Sequence, residues 1–337
     1  MVKKLLLLLI ILFFVGFILW HYLNTAIGEE SQAINFIVNK GESIKQVSQN
    51  LKQAKLIKSP LFFRYLIWRQ QASIKAGEYL INPKLTTKEI INLLVKGEVI
   101  NQETTIRIIE GWNIGEIEQY FKKNNSISNV NFLKLASAQL KNWPFSFIKP
   151  KFLNNAPATA NLEGFLFPDT YRIFKDATAA DAITKMLKNF DSKLTKQMRD
   201  DIAQQNKSIY QIIIMASLVE KEVRTSEDMQ TVAGIFWNRI KDGQALESCA
   251  TLAYILGEKK VQYSAADTQV DSPYNTYRNL GLPPGPIANP GLNSIKAAIY
   301  YPKYTQYNYF LSRPDTGETV YSKTLEEHNL NKYKYLK

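Results

Sequence analysis

The sequence predicts an α+β protein with a single N-terminal transmembrane helix, a small α+β subdomain and a larger mixed α+β domain. Three observations lead to this prediction. An apolar run opens the chain, strand-like segments with capped helical segments follow it, and a long apolar helical segment near residue 220 ends in acidic residues. The 337 residues are enough for more than one hydrophobic core.

The N-terminal apolar run directly follows Lys3 and Lys4. A run of this length and composition inserts into a bilayer, and flanking basic residues stay on the cytoplasmic side. We therefore expect a cytoplasmic tail over residues 1–4 and a transmembrane anchor over residues 5–23. This makes the protein single-pass in a bacterial inner membrane, with the rest of the chain outside the cytoplasm. The alternative is a cleaved signal peptide with a small-residue site at 26–28.

The composition excludes several kinds of chemistry. The chain has 42 Lys and Arg against 30 Asp and Glu, but the basic residues are scattered and the domain is exported, which argues against nucleic acid as a partner. His21 lies in the apolar N-terminal segment, so a zinc site built from His and Cys is not available, and Cys249 with His328 is a thin basis for a thiol protease. We expect no metal and no cofactor, which leaves carboxylate chemistry.

Three related strand, turn and helix units follow the anchor, at 36–51, 79–94 and 106–117. In the first, Gly41-Glu42-Ser43-Ile44 turns a strand into a helix, and this unit resembles the first half of a LysM module, a small glycan-binding fold. The resemblance implies a LysM-like subdomain over residues 33–100. A structural spacer is the alternative.

The larger domain is expected over residues 104–337, with a polar connecting segment at 125–157. After that segment, residues 161–171 combine glycine, proline, aromatic rings and two acids. Rings stack on sugar faces and carboxylates bind hydroxyls, so this composition is typical of a sugar-binding wall. A core turn has the same composition, and both interpretations stay open.

An apolar helix with a capping box at Ser208 and Gln211 is predicted to run to Val223. Its acids Glu220 and Glu222 are two residues apart, so they point about 200° apart and cannot share one site. Glu220 has Arg224 at i+4, the spacing of a solvated ion pair.

Glu222 lies over Leu218 and Val219, and an apolar surrounding raises the pKa of a carboxyl group. Such an acid stays protonated near neutral pH and can act as a general acid. The alternative is that both Glu220 and Glu222 are ordinary surface acids at a helix end. Further elements are expected after this helix: a helix at 232–240, a helical segment at 252–256, ordered loops at 272–277 and 281–291, a helix capped by Asn289, a hairpin of 307–312 with 318–322, and a last helix.

Taken in order, these pieces resemble the YceG/MltG-like family of endolytic murein transglycosylases. Besides the anchor and the LysM-like region, the resemblance rests on four motifs: Leu162-Glu163-Gly164 to Tyr171, Ala216 to Glu222, Tyr274-Asn275-Thr276-Tyr277, and Gly281 to Ile287. It implies that Glu222 is the catalytic acid. Two departures stand out. Val223 follows the acid where lytic transglycosylases commonly have Ser or Thr, and Leu246-Glu247-Ser248-Cys249-Ala250-Thr251 has Glu247 for an amide and Cys249 for an aspartate.

The resemblance implies that newly made peptidoglycan strands are cut internally between N-acetylmuramic acid and N-acetylglucosamine. One acid acting twice would leave 1,6-anhydro ends and help to terminate glycan elongation. Peptidoglycan strands, the inner membrane and penicillin-binding protein synthases are the implied partners. The substrate-binding residues expected beside Glu222 are Glu163, Tyr171, Asn238, Arg239, Thr251, Asn275, Thr276, Tyr277 and Pro284.

Two other functions remain open at this point. A hydrolytic muramidase would need a second carboxylate, for which Glu163, Glu247 and Asp271 are the candidates. A non-catalytic murein-binding scaffold of the wall-synthesis machinery would need none, and the altered Cys249 position makes it conceivable.

Overall fold

The computed structural model describes residues 2–27, 33–97, 103–127, 131–174 and 177–336. By packing, the chain divides into one unit over Met1–Gln102 and a second over Glu103–Lys337. Position 28 of the alternative signal-cleavage site and the expected subdomain end at residue 100 lie outside the described residues.

The N-terminal unit has a two-stranded antiparallel sheet packed against helices. The sheet pairs Ile34 with Ile81 and Val38 with Gly77, and its core is apolar. Two helices lie between the two strands in the sequence, so the order along the chain is strand, helix, helix, strand. The described elements are α1 (Val2–Asn24), β1 (Ile34–Val38), α2 (Ile44–Gln53), α3 (Pro60–Gln70), β2 (Gly77–Ile81) and α4 (Thr87–Lys96).

The last turn of α1 is held against the rest of this unit. Lys58 Nζ donates a hydrogen bond to the Tyr22 carbonyl over 3.1 Å, and Thr87 Oγ1 donates to the Leu23 carbonyl over 3.1 Å. Among the residues that the structure describes, no helix is long and apolar enough to cross a membrane. The transmembrane anchor expected over residues 5–23 is therefore not supported by the structure.

The C-terminal unit combines helices with two small antiparallel sheets. Strand β3 pairs with β4, and β5 pairs with β6, the predicted hairpin. Short 3-10 helices lie at Leu140–Asn142, Lys151–Leu153 and Asp267–Gln269. The other described elements are β3 (Glu103–Arg107), α5 (Ile114–Asn124), α6 (Phe132–Ala136), β4 (Thr170–Phe174), α7 (Ala179–Lys193), α8 (Lys196–Gln204), α9 (Ile209–Glu222), α10 (Ser226–Lys241), α11 (Cys249–Leu256), α12 (Leu292–Ile299), β5 (Tyr309–Ser312), β6 (Thr319–Ser322) and α13 (Leu325–Tyr335).

Helix α9 is the central element of the C-terminal unit. The predicted capping box of Ser208 and Gln211 is present, and residues 212–219 are all buried. The helix packs against α10, α11 and α12. A helix that is surrounded by other elements is apolar on every side, which is the pattern of α9. It ends at Glu222 because Val223 is extended, with φ −138° and ψ 165°.

Asn289 ties distant segments together instead of capping a helix. Helix α12 has Gly291 at its N-cap, so the predicted capping role of Asn289 is wrong. The buried Asn289 amide donates to the Trp112 carbonyl over 2.9 Å and accepts from Leu166 N over 2.9 Å. A buried amide with its hydrogen bonds satisfied fixes how these segments pack.

Candidate active site

Glu222 is the last residue of α9, and its side chain is partly buried. Carboxylate oxygen Oε1 accepts a 2.5 Å hydrogen bond from Ser248 Oγ and a 3.3 Å hydrogen bond from Ala250 N. The Glu222 carbonyl accepts from Ser312 Oγ over 2.8 Å. Backbone and side chain are therefore both held, and both hydrogen bonds to the carboxyl group fall on the same oxygen.

Ser248 stands at the N-cap of α11, but its hydroxyl does not cap that helix. A Ser at this position normally accepts a hydrogen bond from a backbone N–H of the first turn. Here the buried hydroxyl donates to Glu222, and Ala250 N in the first turn of α11 also binds Glu222. The carboxyl group of Glu222 thus takes the place of the capping side chain.

Two threonines hold the Ser248 backbone in place. Thr276 Oγ1 accepts from Ser248 N over 3.0 Å, and Thr251 Oγ1 donates to the Ser248 carbonyl over 2.7 Å. The two threonine hydroxyls are 3.0 Å apart, and both residues are buried. Thr251 and Thr276, which were expected to bind substrate, are buried and position the residue that contacts Glu222.

Opposing influences act on the ionisation of Glu222. Burial raises the pKa of Glu222, while the Ser248 hydroxyl, Ala250 N and the charges of Lys259 and Arg239 oppose that rise. The carboxyl group also lies at the negative end of the α9 dipole and at the positive end of the α11 dipole. An acid in this setting can hold a proton above its usual pH range, and its ionised form is stabilised once the proton has left.

Arg239 holds two backbone segments beside the acid. Its buried guanidinium donates to the Leu246 carbonyl over 2.6 Å and to the Asn308 carbonyl over 2.9 Å. It also lies 5.4 Å from the centre of the Tyr309 ring. The positive charge of Arg239 therefore acts on Glu222 from a fixed position.

Cys249 and Tyr277 form a contact next to Ser248. Cys249 Sγ lies 3.1 Å from the Tyr277 hydroxyl, and the cysteine is exposed. Burial raises the pKa of Tyr277, so its hydroxyl stays protonated at neutral pH. At the position where the resemblance leads us to expect an aspartate, this chain has a thiol beside a phenol.

The remaining predicted residues of this region shape its loops. The Asn275 amide donates to the Thr268 and Val270 carbonyls over 2.9 and 2.8 Å and is fully buried. Asn238 is partly exposed on α10. Pro284 is exposed, and its carbonyl accepts a 2.9 Å hydrogen bond from the Tyr210 hydroxyl.

Glu163 and Tyr171 belong to the core. Glu163 is 6% exposed, and it accepts hydrogen bonds of 3.2 Å from Ile114 N, at the start of α5, and from the Asn289 amide. The Tyr171 hydroxyl donates to the Phe167 carbonyl over 2.5 Å. Residues 162–168 are all buried, so their rings cannot stack on a sugar. The structure thus contradicts the sugar-binding wall and supports the core turn, because these apolar side chains fill the interior.

Glu163 is another acid of this unit whose pKa is raised. Burial raises the pKa of Glu163 to about 8, the backbone N–H of Ile114 opposes that rise, and the charge of Glu116 adds to it. Because the carboxyl group is enclosed by protein, this shift reflects a structural position.

The predicted ion pair of Glu220 with Arg224 is wrong. Since α9 ends at Glu222 and Val223 is extended, Arg224 is not one helical turn beyond Glu220. The Glu220 carboxylate accepts a hydrogen bond from Gly291 N over 2.9 Å and another from the Ser294 hydroxyl. Burial raises the pKa of Glu220, and these two hydrogen bonds oppose the rise. Glu220 therefore joins α9 to the start of α12.

The three candidates for a second carboxylate differ in their surroundings. Glu163 is enclosed, and the side chain of Asp271 is fully exposed and pairs with Arg278 over 3.2 Å. Glu247 is exposed, adjoins Ser248, and has a left-handed backbone with φ 51°. Strained non-glycine residues of this kind cluster at functional sites. Of the three, Glu247 is the one that adjoins a residue in contact with Glu222.

Ser248 is the site residue that was not predicted from the sequence. It is 26 positions from Glu222, and no local spacing rule connects the two. The sequence signal for it is the segment 246–251, in which Ser248 lies between the departures at Glu247 and Cys249. Val223 brings no hydroxyl to the acid, and the hydroxyl that Glu222 receives comes from Ser248.

Comparisons with known proteins agree over most of the chain. The model of the YceG-like family matches residues 36–334. An endolytic murein transglycosylase of Bacillus subtilis is 31% identical over 91% of this chain and 86% of its own length. One of Streptococcus pneumoniae D39 is 29% identical over 87% of this chain, which spans 57% of that relative. A crystal structure of a YceG-like protein from Listeria monocytogenes superposes with a TM-score of 0.58 at 33% identity, covering 90% of this chain and all of the other.

Proposed function

The chain belongs to the YceG-like family, and we propose that it is an endolytic murein transglycosylase, a lyase that cuts peptidoglycan strands within their length. The relatives that carry this name match about nine-tenths of the chain. One observation in the structure carries the mechanism: Glu222 is a partly buried acid with a raised pKa, and both hydrogen bonds to its carboxyl group fall on Oε1.

The proposed reaction uses Glu222 twice. As an acid, Glu222 gives its proton to the glycosidic oxygen between N-acetylmuramic acid and N-acetylglucosamine while the bond from C1 to that oxygen breaks. As a carboxylate, it then takes the proton of the muramoyl 6-hydroxyl while that oxygen bonds to C1. The product is a 1,6-anhydro ring, no water is consumed, and Glu222 is protonated again.

The hydrogen bonds around Glu222 support both half-reactions. Because Ser248 Oγ and Ala250 N both donate to Oε1, the transferable proton belongs on Oε2. The same two donors stabilise the carboxylate formed in the first step. Burial favours the protonated form, so the acid can recover its proton in the second step.

Analysis of the released fragments tests this proposal. Purified glycan strands are incubated with the full chain and the new ends are identified by mass spectrometry. Anhydro-muramoyl ends support the lyase. Reducing ends would favour a hydrolytic muramidase with Glu247 as its second carboxylate, and uncut strands from a folded protein would favour the murein-binding scaffold.

We further propose that the protein is single-pass in the bacterial inner membrane, with a cytoplasmic N-terminus and an extracytoplasmic catalytic domain. The apolar sequence over residues 5–23 after Lys3 and Lys4 supports this localisation. The strand, helix, helix, strand order of the N-terminal unit supports a LysM-like role in positioning glycan. Penicillin-binding protein synthases are the proposed partners, since they make the strands to be cut. Protease added to spheroplasts should digest the chain beyond the anchor, and a protected chain would contradict this localisation.

A further inference from the structure

The positive charge of this protein is concentrated in its N-terminal unit. The N-terminal unit over residues 1–102 contains 13 Lys and Arg and six Glu, a net charge of +7, and its residues 33–97 contain eleven Lys and Arg and three Glu, a net charge of +8. Residues 103–337 contain 29 basic and 24 acidic residues, a net charge of only +5 over more than three times the length. The small unit therefore attracts anions far more strongly per unit of surface.

The three glutamates of this stretch do not neutralise its cations. Glu42 binds the Asn39 backbone and the Asn50 amide, and Glu78 binds the Asn35 amide. Glu89 completes the capping box of α4 with Thr86. Because these three glutamates bind neutral groups, they form no ion pair with Arg64 or Arg69 in the described part of the chain.

Helix α3 adds an exposed apolar face to this charge. Leu61, Tyr65 and Trp68 are spaced i, i+4 and i+7, so they share one face of the helix. Their exposed fractions are 68%, 47% and 75%. The rings of Tyr65 and Trp68 lie 6.3 Å apart. Large side chains exposed in this pattern mark an interaction surface.

A cavity of about 670 Å³ opens beside this face. Lys45, Arg64 and Arg69 bring three positive charges to its lining, and Ile44, Ile67 and Trp68 bring apolar surface. A single glutamine is the only neutral polar side chain in the lining of this cavity. A polyhydroxylated sugar needs convergent neutral hydrogen-bonding groups, whereas an anionic amphiphile needs cations next to apolar surface. The lining of this cavity has the composition that an anionic amphiphile needs.

We propose that the α3 face, defined by Leu61, Arg64, Tyr65, Trp68 and Arg69, binds the anionic headgroups of a lipid bilayer. The arginines contact the phosphate groups, and the Trp68 and Tyr65 rings lie at the level of the headgroups, where aromatic side chains of membrane proteins collect. The end of α1 is tied to Lys58, two residues before this helix. Binding would hold the N-terminal unit against the membrane surface, and it does not depend on the proposed reaction.

Fluorescence quenching in reconstituted full-length protein tests this surface. The chain is placed in phosphatidylcholine vesicles containing brominated lipid, with or without about one-third phosphatidylglycerol, a typical anionic lipid. The contribution of Trp68 is the difference between the unmodified protein and Trp68→Phe. We expect quenching of Trp68 in the anionic vesicles, less than half as much in phosphatidylcholine alone, and a decrease at high salt.

Two charge-matched variants separate the site from the overall charge. Arg64→Gln with Arg69→Gln should remove most of the Trp68 quenching, because each basic residue near an anionic surface contributes about fivefold to binding. Lys40→Gln with Lys84→Gln removes the same charge away from the cavity lining and should keep most of it. An equal loss of Trp68 quenching in both variants, or quenching that does not depend on the charge of the lipid, would overturn the proposal. So would a change in Trp68 fluorescence on adding soluble wall polymer without any quenching by brominated lipid in anionic vesicles.

Discussion

Glu222 and Glu163 are both glutamic acids whose carboxyl groups are affected mainly by burial, but their surroundings give the two carboxyl groups different roles. Burial raises the pKa of both carboxyl groups, and backbone N–H groups oppose the rise at both. Glu163 is 6% exposed and binds the start of α5 and Asn289. Glu222 is more open, and the two hydrogen bonds to its carboxyl group fall on one oxygen.

This difference shows that a raised pKa alone does not identify a general acid. A proton is useful in catalysis only if the oxygen that carries it can reach the substrate. At Glu163 the protein surrounds the carboxyl group, and the shift is a by-product of fixing the core. At Glu222 the hydrogen bonds leave one oxygen for transfer, which is the arrangement that the proposed reaction requires.

The largest expected effect comes from disturbing the enclosed region at Gly164. Its φ is +86°, and a Cβ there would lie 2.6 Å from Pro286 and 2.7 Å from Ile213. Gly164→Ala should destabilise the protein by about 3 kcal/mol through backbone strain and overpacking. Gly243→Ala is the matched control, because Gly243 also has a positive φ of +67° but an open surrounding. Denaturant unfolding should show the smaller loss for the control, and equal losses would mean that the Glu163 region is not tightly enclosed.

The next effect concerns the pH dependence of stability. With its pKa raised to about 8, Glu163 keeps a proton in the folded state that the unfolded chain has already released. Stability should therefore fall as pH rises from the ordinary glutamate range to about 8, by on the order of a few kcal/mol. Glu163→Gln cannot titrate, so its thermal unfolding between pH 5 and 9 should depend less on pH. An unchanged pH dependence would show that Glu163 is ionised in the folded protein.

A smaller effect is expected at the hydroxyl that orients Glu222. Ser248→Ala removes a donor that stabilises the carboxylate. The rate of cleavage should therefore fall by about tenfold, which corresponds to the free energy of one hydrogen bond to a charged group. Its loss should also raise the pKa of Glu222 further, moving the alkaline limb of kcat/KM to higher pH. Ser248→Thr should restore both properties because it keeps the hydroxyl.

Ser217 offers the matched control for Ser248. It is buried on α9, five residues before Glu222, and its hydroxyl donates to the Ile214 carbonyl and accepts from Ile287 N. Ser217→Ala should lower stability and leave the alkaline limb in place. If both alanine variants shift the limb equally, or neither shifts it, Ser248 does not tune the acid.

The smallest effect is expected at Glu220, the neighbour of the acid on α9. Glu220→Gln keeps an acceptor for Gly291 N and removes a charge that burial already disfavours. We expect a change in stability of about 0.5 kcal/mol and almost no change in cleavage rate. Loss of cleavage in a folded Glu220→Gln protein would mean that the wrong side of α9 has been assigned to the substrate.

Local patterns were sufficient to predict α9 and the hairpin. The capping box of Ser208 and Gln211 and the apolar run gave α9 its start and its burial, and alternation around a turn gave β5 and β6. The end of α9 was harder to predict, because Val223 is extended by its tertiary setting. That one residue removes the expected Glu220 to Arg224 pair.

Long-range contacts explain the other differences. The link from Ser248 to Glu222 and the ties made by Asn289 join segments far apart in the chain, so no periodicity reveals them. In residues 161–171 the same composition suits a sugar site and a core turn, and only packing decides between them. Glu222 itself could be proposed from the sequence because its apolar neighbours are local.

Comparing Glu222→Gln with Glu163→Gln in the same cleavage assay tests the central claim most directly. Both substitutions keep the shape of the side chain and remove a proton that burial retains, but only Glu222 is proposed to transfer it. We predict that the rate of anhydro-end formation falls by about 10²-fold or more in Glu222→Gln, the range that a general acid supplies, and changes little in folded Glu163→Gln. Full activity of Glu222→Gln, or loss of activity in Glu163→Gln that keeps the native circular dichroism spectrum, would contradict the account.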